Sequence, residues 1–197
     1  MAMTVSKTRD MLVDVARQLF ARMGVDNTTM NDIAQASKKG RRTLYTYFKS
    51  KNDIYQAVVE SEMEKLHTML LDIEAKDLPA DEKLMTFIFM RLSTVKAIVF
   101  RNGTLRANFF RDIWRVEKVR KEFDLKEIEI IKKILNTGIK EGIFQMPNVE
   151  MTAIVLHHAL KGLEVPYIRG QMGNTVSEKL RQRENIMNLV FNGIKIK

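Results

Sequence analysis

Cysteine is absent from the 197 residues. That removes disulfides and thiolate chemistry and fits a reducing compartment. Proline occurs three times and glycine nine times, and alternating β-rich runs are almost missing, so an all-α chain is the expected fold class. No apolar stretch is long enough to span a bilayer, and the opening MAMTVSKTRDMLVDVARQLF lacks the continuous apolar core of a signal peptide. A cytoplasmic location with no membrane partner is therefore expected. The histidines are His67, His157 and His158. Adjacent residues on a helix point about 100° apart, a poor geometry for one metal, and no carboxylate at ligand spacing supports them. They are read as structural or ligand-pocket histidines, and neither a metal nor another cofactor is expected. No nucleophile with a partnered base and no phosphate loop can be found, which argues against an enzyme.

What is present is apolar mass and positive charge. A hydrophobic content of 45% and a charged content of 29% suit a soluble globular chain with a real core. A formal net charge of +9 and a pI near 9.7 favour a polyanionic partner, and the location of the charge must say which one. It concentrates in Thr28–Lys51, TTMNDIAQASKKGRRTLYTYFKSK, which reads as two short helices joined by a tight turn. Thr29 and Asp32 fit a capping box that starts a helix at Met30 and turns Ile33 and Ala34 inward. Leu44 and Phe48 repeat at helical spacing beyond the turn. Lys38, Lys39, Arg41, Arg42, Lys49 and Lys51 follow one another without an acidic residue, interleaved with Thr43, Tyr45, Thr46 and Tyr47. Such a mixture suits phosphate oxygens and base edges. Arg41 and Arg42 fall early in the second helix, where a side chain reaches a major groove and can grip guanine O6 and N7. Otherwise they make a solvated basic face with phosphate contacts only.

Ile33-Ala34, Thr43-Leu44-Tyr45, Tyr47-Phe48 and Ser50-Lys51, spaced without a gap, resemble the DNA-binding domain of the TetR family. The likeness runs back through Ala16, Leu19, Phe20 and Gly24, covering about Lys7 to Val59. It departs from the family in the turn, where Ser37, Lys38, Lys39 and Gly40 replace the usual Ala-Gly-Val-Ser, and at Arg42, where glycine is usual. The resemblance implies a three-helix helix-turn-helix head at the N-terminus, residues 1–50, joined to a helical bundle, residues 51–197, that binds an effector and dimerises. It also implies that Asn31 and Tyr45 touch bases while Thr29, Thr43, Tyr47 and Lys51 hold phosphates. Tyr45 has packing beside Leu44 and Phe48 as its alternative.

The first helix is marked by Leu12, Val15, Ala16, Leu19, Phe20 and Met23, with Gly24 placed to end it in a left-handed conformation. Ser50 and Asp53 repeat the capping pattern and open a long helix with Ile54, Val58, Leu66, Leu70 and Ile73 inside. Lys76-Asp77-Leu78-Pro79-Ala80 ends it. Further helices are expected over Leu84 to Ile98, around Leu105 to Trp114, and up to Gly142. Gly138, Gly142 and Phe144 resemble the end of a long helix in TetR-family bodies. After Pro147-Asn148, Val149, Ala153, Leu156, Leu160 and Leu163 form a heptad seam, with Ile154, Val155 and Ala159 as a second apolar face. A last helix, capped by Thr175 and Glu178, carries Val176, Leu180, Met187, Val190 and Ile194. Spare seams on two neighbouring helices point to a four-helix homodimer interface through Leu156, Leu160, Leu163, Met187 and Val190. Monomer core is the alternative reading of both faces.

Phe87, Phe89, Met90, Phe100, Phe109, Phe110, Trp114 and Phe123 gather aromatics and sulfur in the middle of the body. Clusters of this kind make core. The resemblance adds an effector cavity, with Phe87, Met90, Phe109, Phe110, Trp114 and His158 as its lining. The reading that results is a one-component transcriptional repressor, dimeric on a near-palindromic operator in double-stranded DNA and governed by an apolar or amphipathic small molecule. An effector-independent DNA-binding protein, and behind it an enzyme using the aromatic-lined body, are the alternatives.

Overall fold

The computed structural model describes residues 2–101, 113–172 and 176–194, and at 2–6, 113–118, 176, 179, 180, 182, 193 and 194 the backbone alone. Its elements are α1 (Ala2–Met23), α2 (Met30–Ala36), α3 (Arg41–Tyr47), α4 (Lys51–Glu74), α5 (Ala80–Arg101), α6 (Ile113–Lys140), α7 (Val149–Ile168) and α8 (Val176–Ile194), with no strand among the described residues. The chain is all-α, as its composition indicates. The expected short helix around Leu105 to Trp114 lies largely outside the described residues, and Trp114 belongs to the backbone of α6.

Two compact units form, one of Met1–Glu64 with Ala97–Lys121 and one of Lys65–Lys96 with Glu122–Lys197. In the first, α1 packs on α2 and α2 on α3. The residues spaced for one face of α1, Leu12, Ala16, Leu19 and Phe20, share a buried core with Ile33, Ala34, Leu44, Phe48, Ile54 and Val58. Each large apolar side chain so enclosed contributes roughly 1.5–3 kcal/mol. Phe20 meets the ring of Tyr55 edge-on at 6.1 Å, joining α1 to α4. Gly24 turns the chain out of α1 at φ 92°.

Both anticipated capping boxes are formed. The Thr29 hydroxyl accepts the Asp32 backbone N–H at 3.2 Å, and the Thr29 N–H donates to the Asp32 carboxylate at 2.8 Å. Ser50 and Asp53 repeat the exchange at 3.2 and 3.1 Å where α4 begins. The short α2, which could not persist alone, and the long α4 are thereby fixed at their starts.

In the second unit the inward stripe of α5, Leu84, Phe87, Ile88, Leu92 and Val95, is fully enclosed, as are Ile130, Ile131, Ile134 and Leu135 of α6. Arg91 interrupts that stripe and is itself 1% exposed. α7 turns Ala153, His157, Leu160, Glu164 and Ile168 inward. The end of α6 closes in a tight cap: Ile143 and Phe144 N–H groups both reach the Gly138 carbonyl, at 2.8 and 3.0 Å.

Candidate DNA-reading surface

The turn between α2 and α3 is a Schellman cap. Lys39 N–H returns to Ala34 O at 3.1 Å and Lys38 N–H to Gln35 O at 3.0 Å, with Lys38 in the left-handed region at φ 53°. The same bond pattern ends α6 and α7, and there the left-handed residue is Gly142 or Gly170. Lysine therefore stands where this chain elsewhere uses glycine, at the position where the TetR pattern has glycine too. Gly40, the N-cap of α3, supplies no side-chain cap. Relief of the Cβ crowding at Lys38 is worth about 0.5–1 kcal/mol after the entropic cost of glycine. Lys38→Gly is expected to raise the denaturant midpoint of the head, and a lowered midpoint would contradict the strain.

On α3, Leu44 is fully buried and the following Phe48 is 3% exposed. Helical spacing then turns Arg42, Tyr45 and Thr46 away from that side, Arg41 stands in the first turn, and all four are exposed, Tyr45 at 51%. Lys38, Lys39 and Lys49 are exposed beside them, while Thr43 and Lys51 are half-buried. Tyr47 is partly buried and packs on the head core. Thr46 Oγ1 donates to the Arg42 carbonyl at 2.9 Å, and Lys51 Nζ donates to the Asp26 carbonyl at 3.1 Å. Thr29 is committed to its capping box; its hydroxyl and then its N–H hold the Asp32 carboxyl below the usual range. Asn31 and Arg41 come together, Arg41 Nε donating to Asn31 Oδ1 at 2.8 Å. The sequence placed both near DNA but gave no sign of that bond. The surface is cationic, carries hydroxyls and has no acidic residue from Lys38 to Lys51, so it can bind phosphates and present donors to base edges.

Of the residues expected to line an effector cavity, Phe87 is fully buried, Met90 half-buried and His158 exposed. Phe109, Phe110 and the Trp114 side chain lie outside the described residues. Of the seam residues, Leu156, Leu163, Met187 and Val190 are half-buried, while Leu160, at 3%, is turned into its own chain's interior. Among the described residues, the large apolar side chains left open on α7 and α8 are Met151, Val155 and Leu189.

The inward face of α7 carries the seam residues Ala153 and Leu160 and, with them, His157 and Glu164, which belong to a charged cluster. Arg91 pairs with Glu127 at 2.6 Å and with Glu164 at 2.8 Å. The ring nitrogens of His157 stand 3.3 Å from Glu127 and 3.4 Å from Asp124, ion-pair distances that are long for a hydrogen bond. Lys161 pairs with Asp124 at 2.7 Å, and His158 lies edge-on to His157 at 5.2 Å. Burial opposes charge on Arg91, but Glu127 and Glu164 outweigh it and raise its pKa. Burial likewise pushes Glu127 up, and His157 and Arg91 reverse this, leaving it lowered. On His157 burial is again the largest influence and again loses, to Asp124 and Glu127, so the imidazole is raised. Protonated His157 thus contributes stability that is fully present below the unfolded imidazole value and is lost as pH rises through the folded one. The thermal midpoint should fall as pH climbs above about 6.5, and His157→Gln should flatten that fall. An unchanged slope in the variant would assign the dependence to other groups.

Residues 12–58 match the family described as bacterial regulatory proteins, tetR family. The chain is 31% identical over 81 residues to the biofilm operon icaADBC HTH-type negative transcriptional regulator IcaR of Staphylococcus aureus, covering 41% of this chain and 44% of IcaR. The crystal structure of a transcriptional regulator from Cytophaga hutchinsonii superimposes with a TM-score of 0.75 at 23% identity, over 95% of this chain and 98% of the other. The flavonoid-responsive regulator FrrA superimposes at 0.68 with 20% identity, over 98% and 99% of the two chains. Among the described residues no helix is long and apolar enough to cross a membrane. The capped helix-turn-helix of residues 12–58 is thus similar in sequence to the tetR family of bacterial regulatory proteins, and the all-helical fold is shared with these solved structures over nearly its whole length.

Proposed function

We propose that this regulator is a cytoplasmic repressor, without enzymatic activity, that binds a near-palindromic operator in double-stranded DNA as a homodimer and is released by an apolar or amphipathic small molecule. Residues 1–50 read DNA, and residues 51–197 hold the effector and the second protomer. The observation that carries the reading is the exposed, acid-free face of α3 with Arg41, Arg42, Tyr45 and Thr46 on it. Arg41 and Arg42 read bases together with Tyr45, and Thr29, Thr43, Tyr47 and Lys51 hold phosphates, with Asn31 in the same interface. The repressor sense is supported by IcaR, whose name calls it a negative regulator, and effector control by FrrA, whose name calls it flavonoid-responsive. Phe87, Met90, Phe109, Phe110, Trp114 and His158 remain the proposed effector contacts. The dimer face takes in Leu156, Leu163, Met187 and Val190 together with the open Met151, Val155 and Leu189. Leu160 supports it from within the subunit.

The test separates base reading from phosphate binding. Arg41→Ala and Arg42→Ala should each cost about 1–3 kcal/mol on the operator and relax preference at one base pair per half-site. Lys51→Ala should weaken operator and scrambled duplex alike and lower the log-salt slope by about 0.9. Equal losses on both duplexes for both arginine variants would reject base reading.

A further inference from the structure

Arg41 and Arg42 are neighbours in sequence, both exposed and both at the start of α3, yet they are held differently. The Arg41 Nε–H is taken by Asn31 Oδ1 at 2.8 Å, a bond that crosses from α2 to α3. The Arg42 side chain has no hydrogen bond among the described residues. An arginine can approach guanine by two edges, one made of Nε and Nη2 and one made of the two Nη groups. Asn31 occupies the first edge and leaves the second. A long, flexible side chain is also fixed before it meets DNA, so less freedom is lost on binding.

We propose that Asn31 is a positioning residue for Arg41: it holds the guanidinium so that Nη1 and Nη2 present end-on to a guanine, and it sets the strength of discrimination at that one base pair. This rests on the base-reading role of Arg41 given above. It assigns Asn31 an effect through Arg41 in place of a base contact of its own. The rotation of Arg41 about its terminal bonds is what Asn31 restrains, so the effect must be confined to the base pair that Arg41 reads and must spare the one that Arg42 reads.

The experiment measures binding of the full chain to the operator and to duplexes substituted one base pair at a time, for the wild type and for N31A, N31D, R41A, R42A and N31A/R41A. R41A identifies the base pair that Arg41 reads. N31A should lower preference at that same pair by about three- to tenfold, the worth of one lost hydrogen bond, and leave the R42A-sensitive pair unchanged. N31D, whose carboxylate still accepts from Nε, should restore most of the preference while its charge weakens binding to every duplex. In N31A/R41A the loss should be no greater than in R41A alone. If R41A shifts preference nowhere, base reading by Arg41 fails and the positioning role fails with it. If R41A shifts preference but N31A weakens all duplexes equally, or adds its full cost to R41A, only the positioning role is overturned. Matching thermal midpoints of N31A and N31D with the wild type exclude a folding defect as the source of either result.

Discussion

Arg91→Ala is expected to destabilise the body by about 3–5 kcal/mol, a large part of the roughly 5–15 kcal/mol by which a domain is folded. Arg91 is 1% exposed, and its two partners are nearly as buried, Glu127 at 5% and Glu164 at 3%. Removing the guanidinium leaves two carboxylates from different helices facing each other in an apolar interior. They must then take up protons or drag water in, and either course costs more than the lost contacts. The penalty belongs to the broken pair, not to the absence of ions. A triple variant, Arg91→Met with Glu127→Leu and Glu164→Leu, removes all three charges and should lie within about 1–2 kcal/mol of the wild type. Urea unfolding followed by circular dichroism distinguishes the cases. A single Arg91→Ala variant within 1 kcal/mol or so of the wild type would show that the cluster is wetter than its burial indicates.

Gly138→Ala is the next largest expected effect, a loss of about 3 kcal/mol, at the upper end of the usual cost of overpacking. Alanine is normally the better helix former, and propensity alone would make the change favourable by up to about 1 kcal/mol. Here a Cβ would stand 2.1 Å from Phe144 Cδ2 and 2.6 Å from its Cε2. The ring cannot easily retreat: Phe144 is 2% exposed, its N–H is bonded to the Gly138 carbonyl, and its ring stacks on Phe191 at 6.2 Å. Gly162, also helical, has open space where its Cβ would go, so Gly162→Ala serves as the control and should be neutral or mildly stabilising. Unfolding midpoints that rise in both variants would mean that the Phe144 cap yields without cost.

The head was legible because its determinants are local. The capping pairs Thr29 with Asp32 and Ser50 with Asp53 lie three residues apart, and the buried Leu44 and Phe48 lie four apart, so helical geometry alone places them. The departure in the turn was legible as well, and its consequence, a left-handed Lys38, follows from the cap geometry. The body's core was less legible because its inward faces carry charge. Hydrophobic periodicity on α7 offered two apolar faces, and the structure turns inward the stripe that includes His157 and Glu164. That choice depends on Arg91 and Glu127, which are 36 residues apart in sequence and on other helices. A trace existed: Arg91 and Glu164 each fall in phase with an apolar stripe, and a charged residue in core register calls for a partner of opposite sign. The Asn31–Arg41 bond left no trace of that kind, since both residues look like free polar side chains until α2 and α3 are placed side by side.

The most direct measurement of the central claim is selection of bound duplexes from a random pool by the purified chain, repeated with Arg41→Ala. If α3 reads DNA from a dimer, the enriched sequences converge on an inverted repeat whose half-site centres lie about one helical turn, 10–10.5 bp, or a multiple of it apart, and Arg41→Ala loses one defined base pair from each half-site. A folded protein that enriches no sequence, or a single site without a repeat, would contradict the account.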